Sequence, residues 1–402
     1  MAQTQDNSES TSHIKQKKDI CEQLDAPQLD HTWIEINKSA VDHNIDQFKK
    51  IIGNNILAPV IKGNAYGHGL LEIAHICQQN KKAEWLCTAT LSEAVIIRKN
   101  GITKPILVLS CIGNSPEQAL LHNIAVVAYD IETVKRLDDV GNKHGKKINI
   151  HIKVDTGLAR LGVSPKETLN FVQNAKTYKY INIQGIWTHF SQAHAEDRTY
   201  TNKQINLFND ILQKLEEQNI HIPLVHTSNT AATITTHSLA DNFFRLGIGL
   251  YGYWPSEYVK KMAKTIMPDI TLQPTLTWKT RIFAIKKVPK NSFVGYDKTF
   301  QTKKESTLAT LPIGYFDGYE RRLSNKSHVI IHDQFAPIIG TVTMNALIID
   351  VTDLKNVSVG DEAILIGDNP YNNISHLSQI GEINPRELTT KLNAGIKRFI
   401  IQ

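Results

Sequence analysis

The chain has 402 residues, 41% hydrophobic and 21% charged, which is ordinary globular chemistry and enough length for one large domain and a smaller one. Lysine and arginine number 45 against 39 acidic residues, a formal net charge of +6, and no basic block is longer than Lys15-Gln16-Lys17-Lys18. That excludes a nucleic-acid footprint, and no apolar run approaches the roughly 18–20 residues of a membrane span.

Residues 1–30 are polar with little periodic pattern, so a disordered or loosely attached arm is expected there. The N-terminus lacks the apolar core of a secretory signal. Cys21, Cys77, Cys87 and Cys111 form no CxxC and no dense framework, which points to free thiols in a reducing, cytoplasmic setting. Cys87 and Cys111 sit at similar points of neighbouring predicted strands and are the pair that a bridge would use.

TWIEI (32–36) alternates as a short strand. Ser39 is the predicted N-cap of a helix that carries Val41, Ile45, Phe48 and Ile52 at helical spacing. One theme then repeats. Short apolar runs alternate with amphipathic helical stretches: LAPVIK (57–62), WLCTA (85–89), PILVLS (105–110), AVVAY (125–129), NIHIKV (149–154), IQGIWTHF (183–190), PLVHTS (223–228) and FFRLGI (243–248). Eight strand–helix units predict an α/β fold, a parallel (β/α)8 barrel over 31–268, with a doubly wound open sheet as the structural rival. Lys62, Lys153, His189, His226 and Arg245 all fall at or just beyond a strand's C-terminal end, the face on which barrel active sites are built.

After about Pro268 the pattern changes. LTWKTRIFAIKKV (276–288), STLATLPIG (306–314), HVIIHD (328–333), FAPIIGTV (335–342), NALIIDVT (345–352) and DEAILIG (361–367) read as strands, with helical periodicity scarce until 384–392. A C-terminal β-rich domain over 269–402 is predicted, which the strand at 32–36 may join.

A lysine delivered into a buried face is costly unless its charge is removed or paired. Desolvation lowers its pKa, and a neutral amine condenses with an aldehyde, pyridoxal 5'-phosphate being the commonest partner. The bland alternative for Lys62 is a lysine that snorkels outward. The cofactor's phosphate needs an anion site. The backbone amides of Gly247 and Ile248 in RLGIGLYG, the hydroxyl of Thr230 at a predicted helix start and the phenol of Tyr66 are the candidate donors. GIGLYG alone also fits a tight strand exit.

VIKGNAYGHG, KVDTGLARLGV, GIWTHF, VHTSNTAA, FRLGIGLYG, VGYDKTF, LPIGYFDGY and TMNALIIDVTD together resemble the alanine racemase family, in order and over about residues 32–402. The resemblance implies a pyridoxal-phosphate barrel followed by a β domain, working as a head-to-tail homodimer with active sites shared across the interface. It implies that Lys62 is the Schiff-base lysine and, once displaced, the base on one face of the substrate Cα. Tyr296 of the partner subunit is then the opposite base. A phenol of reference pKa ~10 needs help to act near neutrality, and Arg160 is the implied nearby cation, which also meets the substrate carboxylate. Arg245 is implied to face the pyridine nitrogen; because arginine does not readily give up a proton, the ring withdraws electrons weakly, as suits racemisation. His189 is implied to lie against the ring and His226 to orient Arg245. Lys153 matches a lysine that is often carbamylated, Met344 one whose amide meets the substrate carboxylate across the dimer, and Tyr315 a tyrosine of the access path.

Three positions depart from the family pattern. Thr341 and Asn345 replace an arginine and an aspartate around Met344. The phosphate-binding tyrosine near the C-terminus has no counterpart in LNAGIKR, where spacing puts Asn393. The function expected is interconversion of L- and D-alanine, feeding peptidoglycan; the alternative is a broad-specificity racemase for larger or basic amino acids. A decarboxylase of similar architecture would need an acid where Arg245 stands, and a non-catalytic cofactor carrier would need neither Tyr296 nor the second domain.

Overall fold

The computed structural model describes residues 29–236 and 241–402. The arm expected over 1–30 therefore lies, through residue 28, outside the described residues, as does Cys21. The first described strand, β1 (Leu29–Asn37), alternates strictly: Ile34 and Ile36 are buried, Trp33 and Glu35 are not. The helix after it begins at Lys38 and is capped by Asn37, whose side chain accepts from the Ala40 amide at 2.9 Å. Asn37, not Ser39, is the cap.

Eight strands follow with helices between them: β2 (Ile56–Pro59), β3 (Leu86–Thr90), β4 (Ile106–Cys111), β5 (Ala125–Ala128), β6 (Ile148–Lys153), β7 (Ile181–Trp187), β8 (Leu224–His226) and β9 (Phe243–Leu246). From β3 to β8 each strand pairs in parallel with the next. β9 pairs with β2, the Val60–Cys87 bridge joins β2 to β3, and the Asn242 and Arg245 amides donate to Val225 and Ser228, joining β9 to β8. The ring is thereby closed, as the eight-unit pattern predicts. Strands covered on both faces read as continuous apolar runs, and β2 and β5 do throughout, while β6 and β7 carry polar residues among the apolar ones. Burial relaxes at the C-terminal ends of β3 and β4, where the sheet opens toward a cavity.

The barrel interior is packed with rings. Trp85, His151, His226 and Phe243 lie with centroids 4.7 to 6.1 Å apart. Gly185 in β7 is needed for this: a Cβ there would stand 2.3 Å from His151 Nδ1. Cys87 registers with Leu107 and Cys111 with Thr90, so the two thiols are offset along the sheet and both are free.

The C-terminal strands are β10 (Leu276–Arg281), β11 (Ala284–Val288), β12 (Phe293–Val294), β13 (Phe300–Gln301), β14 (Ser306–Leu311), β15 (His328–Ile331), β16 (Gln334–Pro337), β17 (Leu347–Asp350), β18 (Glu362–Ile366) and β19 (Ile396–Ile401). One sheet runs β16-β15-β18-β10-β1-β19, and a second runs β11-β14-β17. β1 sits between β10 and β19, so the first described strand belongs to the last sheet. The run 276–288 is two strands in different sheets. Helices at Ile374–Gly381 and Pro385–Thr390 precede β19. Among the described residues no helix is long and apolar enough to cross a membrane.

Candidate active site

The residues after β2 do not continue as an ordinary turn. Gly63, Asn64, Ala65 and Tyr66 all have φ between +52° and +63°. This is a left-handed turn, which costs roughly 1–2 kcal/mol for each non-glycine residue, so it needs outside support. Glu93 supplies it. One carboxylate oxygen accepts from the Gly63 amide at 2.7 Å, and the other accepts from Ala89 and Thr90 at 2.9 and 3.2 Å, while Thr90 Oγ1 accepts from the Glu93 amide. Asn64 Oδ1 accepts from Leu70, starting the helix Leu70–Gln79. From the other domain, Arg398 donates to Gly67 O at 3.0 Å. The backbone of Thr389 packs so closely that a Cβ on Gly67 would stand 1.8 Å from its oxygen.

The turn leads Lys62 into a cavity of about 180 Å³ that is also lined by Tyr66, Lys153, Arg160, His189 and Arg245. Burial, then the fields of Arg160 and Arg245, hold the Lys62 amine below the usual lysine range, with Glu93 pulling the other way. Lys153 is 2% exposed and its Nζ has no hydrogen-bond partner; burial, then Arg160 and Arg245, push it down to about 8. Arg160 follows β6 in a loop wound around Asp155, whose Oδ1 accepts the amides of Gly157, Leu158 and Ala159 at 2.8 to 3.1 Å.

Arg245, 2% exposed, is held by neutral acceptors. Nη2 donates to Thr188 O and Thr227 O, each at 2.9 Å, and approaches His189 Nδ1 at 3.5 Å; Nη1 donates to His226 Nδ1 at 2.5 Å and to His226 O at 3.1 Å. Arginine only donates, so His226 Nδ1 is the acceptor and its Nε2 carries the hydrogen. That hydrogen goes to His151 Nδ1 at 2.9 Å, and His151 Nε2 then donates to Gln184 Oε1 at 3.4 Å. One direction of donation runs from Arg245 through the barrel to a bulge in β7. Burial, then Arg245, keeps His226 and His189 neutral near pH 7, and burial takes His151 down to about 3. Trp187 stacks on His226 at 5.5 Å and lies under both the Arg245 guanidinium (4.8 Å) and Lys153 Nζ (4.7 Å).

At the other end of the cavity Thr230 Oγ1 accepts from the Gly247 and Gly249 amides at 3.0 and 3.3 Å. Asn229 caps the helix Thr230–Thr235, and Ile248 opens the tight turn Ile248–Tyr251. A Cβ on Gly247 would stand 3.2 Å from Tyr66 Oη and 3.6 Å from Thr230 Oγ1, so the backbone, the phenol and the hydroxyl border one small space.

The β domain holds a second group. Tyr296, Tyr315, Thr341, Met344 and Asn345 line an open pocket of about 760 Å³ that shares no residue with the barrel cavity. Tyr296 is 70% exposed, Met344 54% and Tyr315 47%. Asn393 reaches neither group: it donates to Phe316 O and accepts from the Gly395 amide. Sequence reasoning did not single out Glu93, Trp187, Asn229 or His151. Two of these had a signal: Thr90-Leu-Ser-Glu93 is a capping box, and His151 lies two residues before Lys153, on the same face of β6.

The cavity suits pyridoxal phosphate on observations of its own. Lys62 stands at one side, a neutral cradle of Tyr66, Thr230 and Gly247 at one end, and Arg245, whose Nε–H has no protein acceptor among the described residues, is one of the lining residues.

Residues 36–255 match the model of the alanine racemase N-terminal domain and residues 275–400 that of the C-terminal domain. The chain is 40% identical over 338 residues to an alanine racemase of Clostridium perfringens, covering 84% of this chain and 86% of that one. It is 38% identical over 376 residues to an alanine racemase of Methanococcus maripaludis, covering 92% and 98%. Among solved structures, an alanine racemase of Clostridium difficile superposes with TM-score 0.86 at 29% identity, over 93% of this chain and 96% of that one. A histidine racemase of Leuconostoc mesenteroides superposes with TM-score 0.82 at 28% identity, over 92% and 98%. Matched across both domains, the chain belongs to the alanine racemase family, isomerases that use pyridoxal phosphate and typically form dimers.

Proposed function

We propose that the chain interconverts L- and D-alanine with two bases on opposite sides of one C–H bond, Lys62 of one protomer and Tyr296 of the partner subunit. The observation that carries this reading is the separation of the site into two halves. The barrel half gathers an uncharged-leaning amine, two arginines and a neutral histidine in one cavity, while the phenol and Met344 stand exposed in a pocket of their own. A second protomer that brings its β domain over the barrel mouth joins the halves.

Pyridoxal phosphate, when bound, supplies an aldehyde for the amine and a ring that draws electrons from the carbon beside the substrate nitrogen. Lys62, lowered by burial, is available as a nucleophile and then as a proton acceptor on one side of Cα. Tyr296 takes or returns the proton on the other side. Arg160 meets the substrate carboxylate and the Met344 amide assists it across the interface. Tyr66, Thr230, Gly247 and Ile248 hold the phosphate; His189 lies against the ring. His226, made an acceptor by its bond to His151, keeps Arg245 aimed. Tyr315 borders the access path. Lys153, unpartnered and lowered to about 8, is the amine that carbon dioxide would convert to a carbamate able to hold Arg160; intact-mass measurement in bicarbonate and in carbon-dioxide-free buffer tests that. The D-alanine produced would serve peptidoglycan.

Purified protein supplied with L-alanine is expected to form D-alanine, and Tyr296→Phe to lose most of that turnover while keeping bound cofactor. Absence of D-alanine from cofactor-loaded wild-type protein overturns the reading. A broader substrate range is the second reading, favoured by Thr341 and Asn345 in the outer pocket, where Arg321 is 3.7 Å from Asp297. Comparable turnover of lysine, arginine or histidine would select it.

A further inference from the structure

Granting the cofactor site above, we propose that Arg386 closes its phosphate end, giving this chain a guanidinium contact to the phosphate from the C-terminal domain. The barrel cradle is built of neutral groups: the Tyr66 phenol and the Thr230 hydroxyl, whose oxygen accepts the Gly247 amide. A phosphate monoester carries about −1.5 to −2 near neutrality, and dipoles alone leave that charge poorly matched. Asn393, the residue that spacing would put at the rim, is spent on Phe316 O and the Gly395 amide.

The helix Pro385–Thr390 lies directly on the turn that carries Lys62 and Tyr66. Its Thr389 carbonyl is the atom that forbids a side chain at Gly67. Arg386 stands in the first turn of that helix, exposed, in the segment whose backbone rests on the turn. Its surroundings leave it free. Arg322 and Lys391 are paired with Glu320 and Glu387, yet the Arg386 guanidinium makes no hydrogen bond or ion pair among the described residues. Its field nevertheless reaches the site. Burial dominates at both the Lys62 amine and the Tyr66 phenol, and Arg386 acts on each of them as well; among the described residues it is the cation whose field bears on Tyr66. An exposed, unpaired guanidinium beside a neutral phosphate cradle is the geometry of a charge-assisted contact.

The test compares two aldehydes that differ only in the phosphate. Cofactor-stripped wild-type protein, Arg386→Ala and Arg386→Lys are titrated with pyridoxal phosphate and with pyridoxal, following the chromophore formed with the protein, and with inorganic phosphate as competitor. Arg386→Ala is expected to weaken pyridoxal phosphate binding roughly ten- to hundredfold and pyridoxal binding less than about twofold, to weaken phosphate competition, and to be partly rescued by lysine. Equal loss for both aldehydes, or no loss for either, with the urea midpoint unchanged, overturns the assignment. Wild-type protein that forms no chromophore with pyridoxal phosphate overturns the reading of the site itself, and this inference with it.

Discussion

Glu93→Gln is the perturbation that best separates support of the lysine turn from the chemistry at its end. In the native protein both carboxylate oxygens accept backbone hydrogens: Gly63 on one, Ala89 and Thr90 on the other. An amide keeps one oxygen, so one side must set an NH2 against an N–H. Hydrogen bonds to charged groups contribute about 1.5–3 kcal/mol, and the Gly63 bond, open to water, belongs at about 1.5. Glutamine also forms a capping box, so its oxygen stays with Ala89 and Thr90 and its NH2 faces the Gly63 amide. Hydrogen exchange over residues 60–69 should therefore speed up about tenfold, since about 1.4 kcal/mol is a factor of ten. The charge effect has a definite sign. Burial lowers Lys62 while Glu93 raises it, so removing the charge lets the amine fall further. The pH midpoint for aldehyde uptake by the cofactor-free protein, which requires the neutral amine, should move to lower pH. Unchanged exchange in the turn, or a midpoint that moves upward, refutes the reasoning.

Gly67→Ala and Gly63→Ala share a positive φ but differ in what a methyl meets, Thr389 O at 1.8 Å in one and open space in the other; the second should cost about 1 kcal/mol and the first clearly more, read as the difference in urea midpoints. Lys153 bears on alkaline stability: burial, then Arg160 and Arg245, put it at about 8 against an ordinary 10.5. Between those values the unfolded chain holds a proton that the native chain lacks, so stability rises with pH across that window. Lys153→Met should flatten the rise in carbon-dioxide-free buffer, as urea midpoints from pH 7.5 to 10.5 will report.

Much of this was legible in the sequence, for reasons that differ by element. The barrel strands were readable because strands buried on both faces leave apolar runs, and parallel pairing places their functional residues at one end. The turn's severity was not readable. Three glycines in KGNAYGHG announce positive φ, but Ala65 and Tyr66 adopt it without any local preference, held by Glu93 and by the second domain. The break inside 276–288 carries no glycine or proline; Ile282 and Phe283 donate to Asp361 and Thr310, partners in two sheets, and only tertiary pairing reveals the switch. Asn37 and Ser39 are both good caps, and pairing of β1 out to Asn37 decides between them. The helix Ile374–Gly381 was legible and passed over, since Asn373 precedes buried residues at 374, 377, 378 and 381.

The charge balance of the barrel cavity ties these observations to its ligand. Lys62, Lys153, Arg160 and Arg245 line it, and among the described residues no aspartate or glutamate does. Asp241, the acid that acts on Arg245, is committed to the amides and hydroxyls of Thr227 and Ser228. Arg245 in turn is solvated by carbonyls and imidazole nitrogen, which do not cancel its field; burial lowers it to about 10, with Asp241 pulling the other way, so it stays charged near neutrality. That uncancelled field is one cause of the lowered Lys62, Lys153 and His189. A cavity wired this way depresses its own amines and favours whatever brings negative charge. On the proposed function, a phosphorylated aldehyde and an amino-acid carboxylate would together bring it in two places. The same field disfavours a cationic substrate side chain in the inner cavity, so neutral amino acids are expected to be turned over faster than lysine or arginine, as a substrate screen will report.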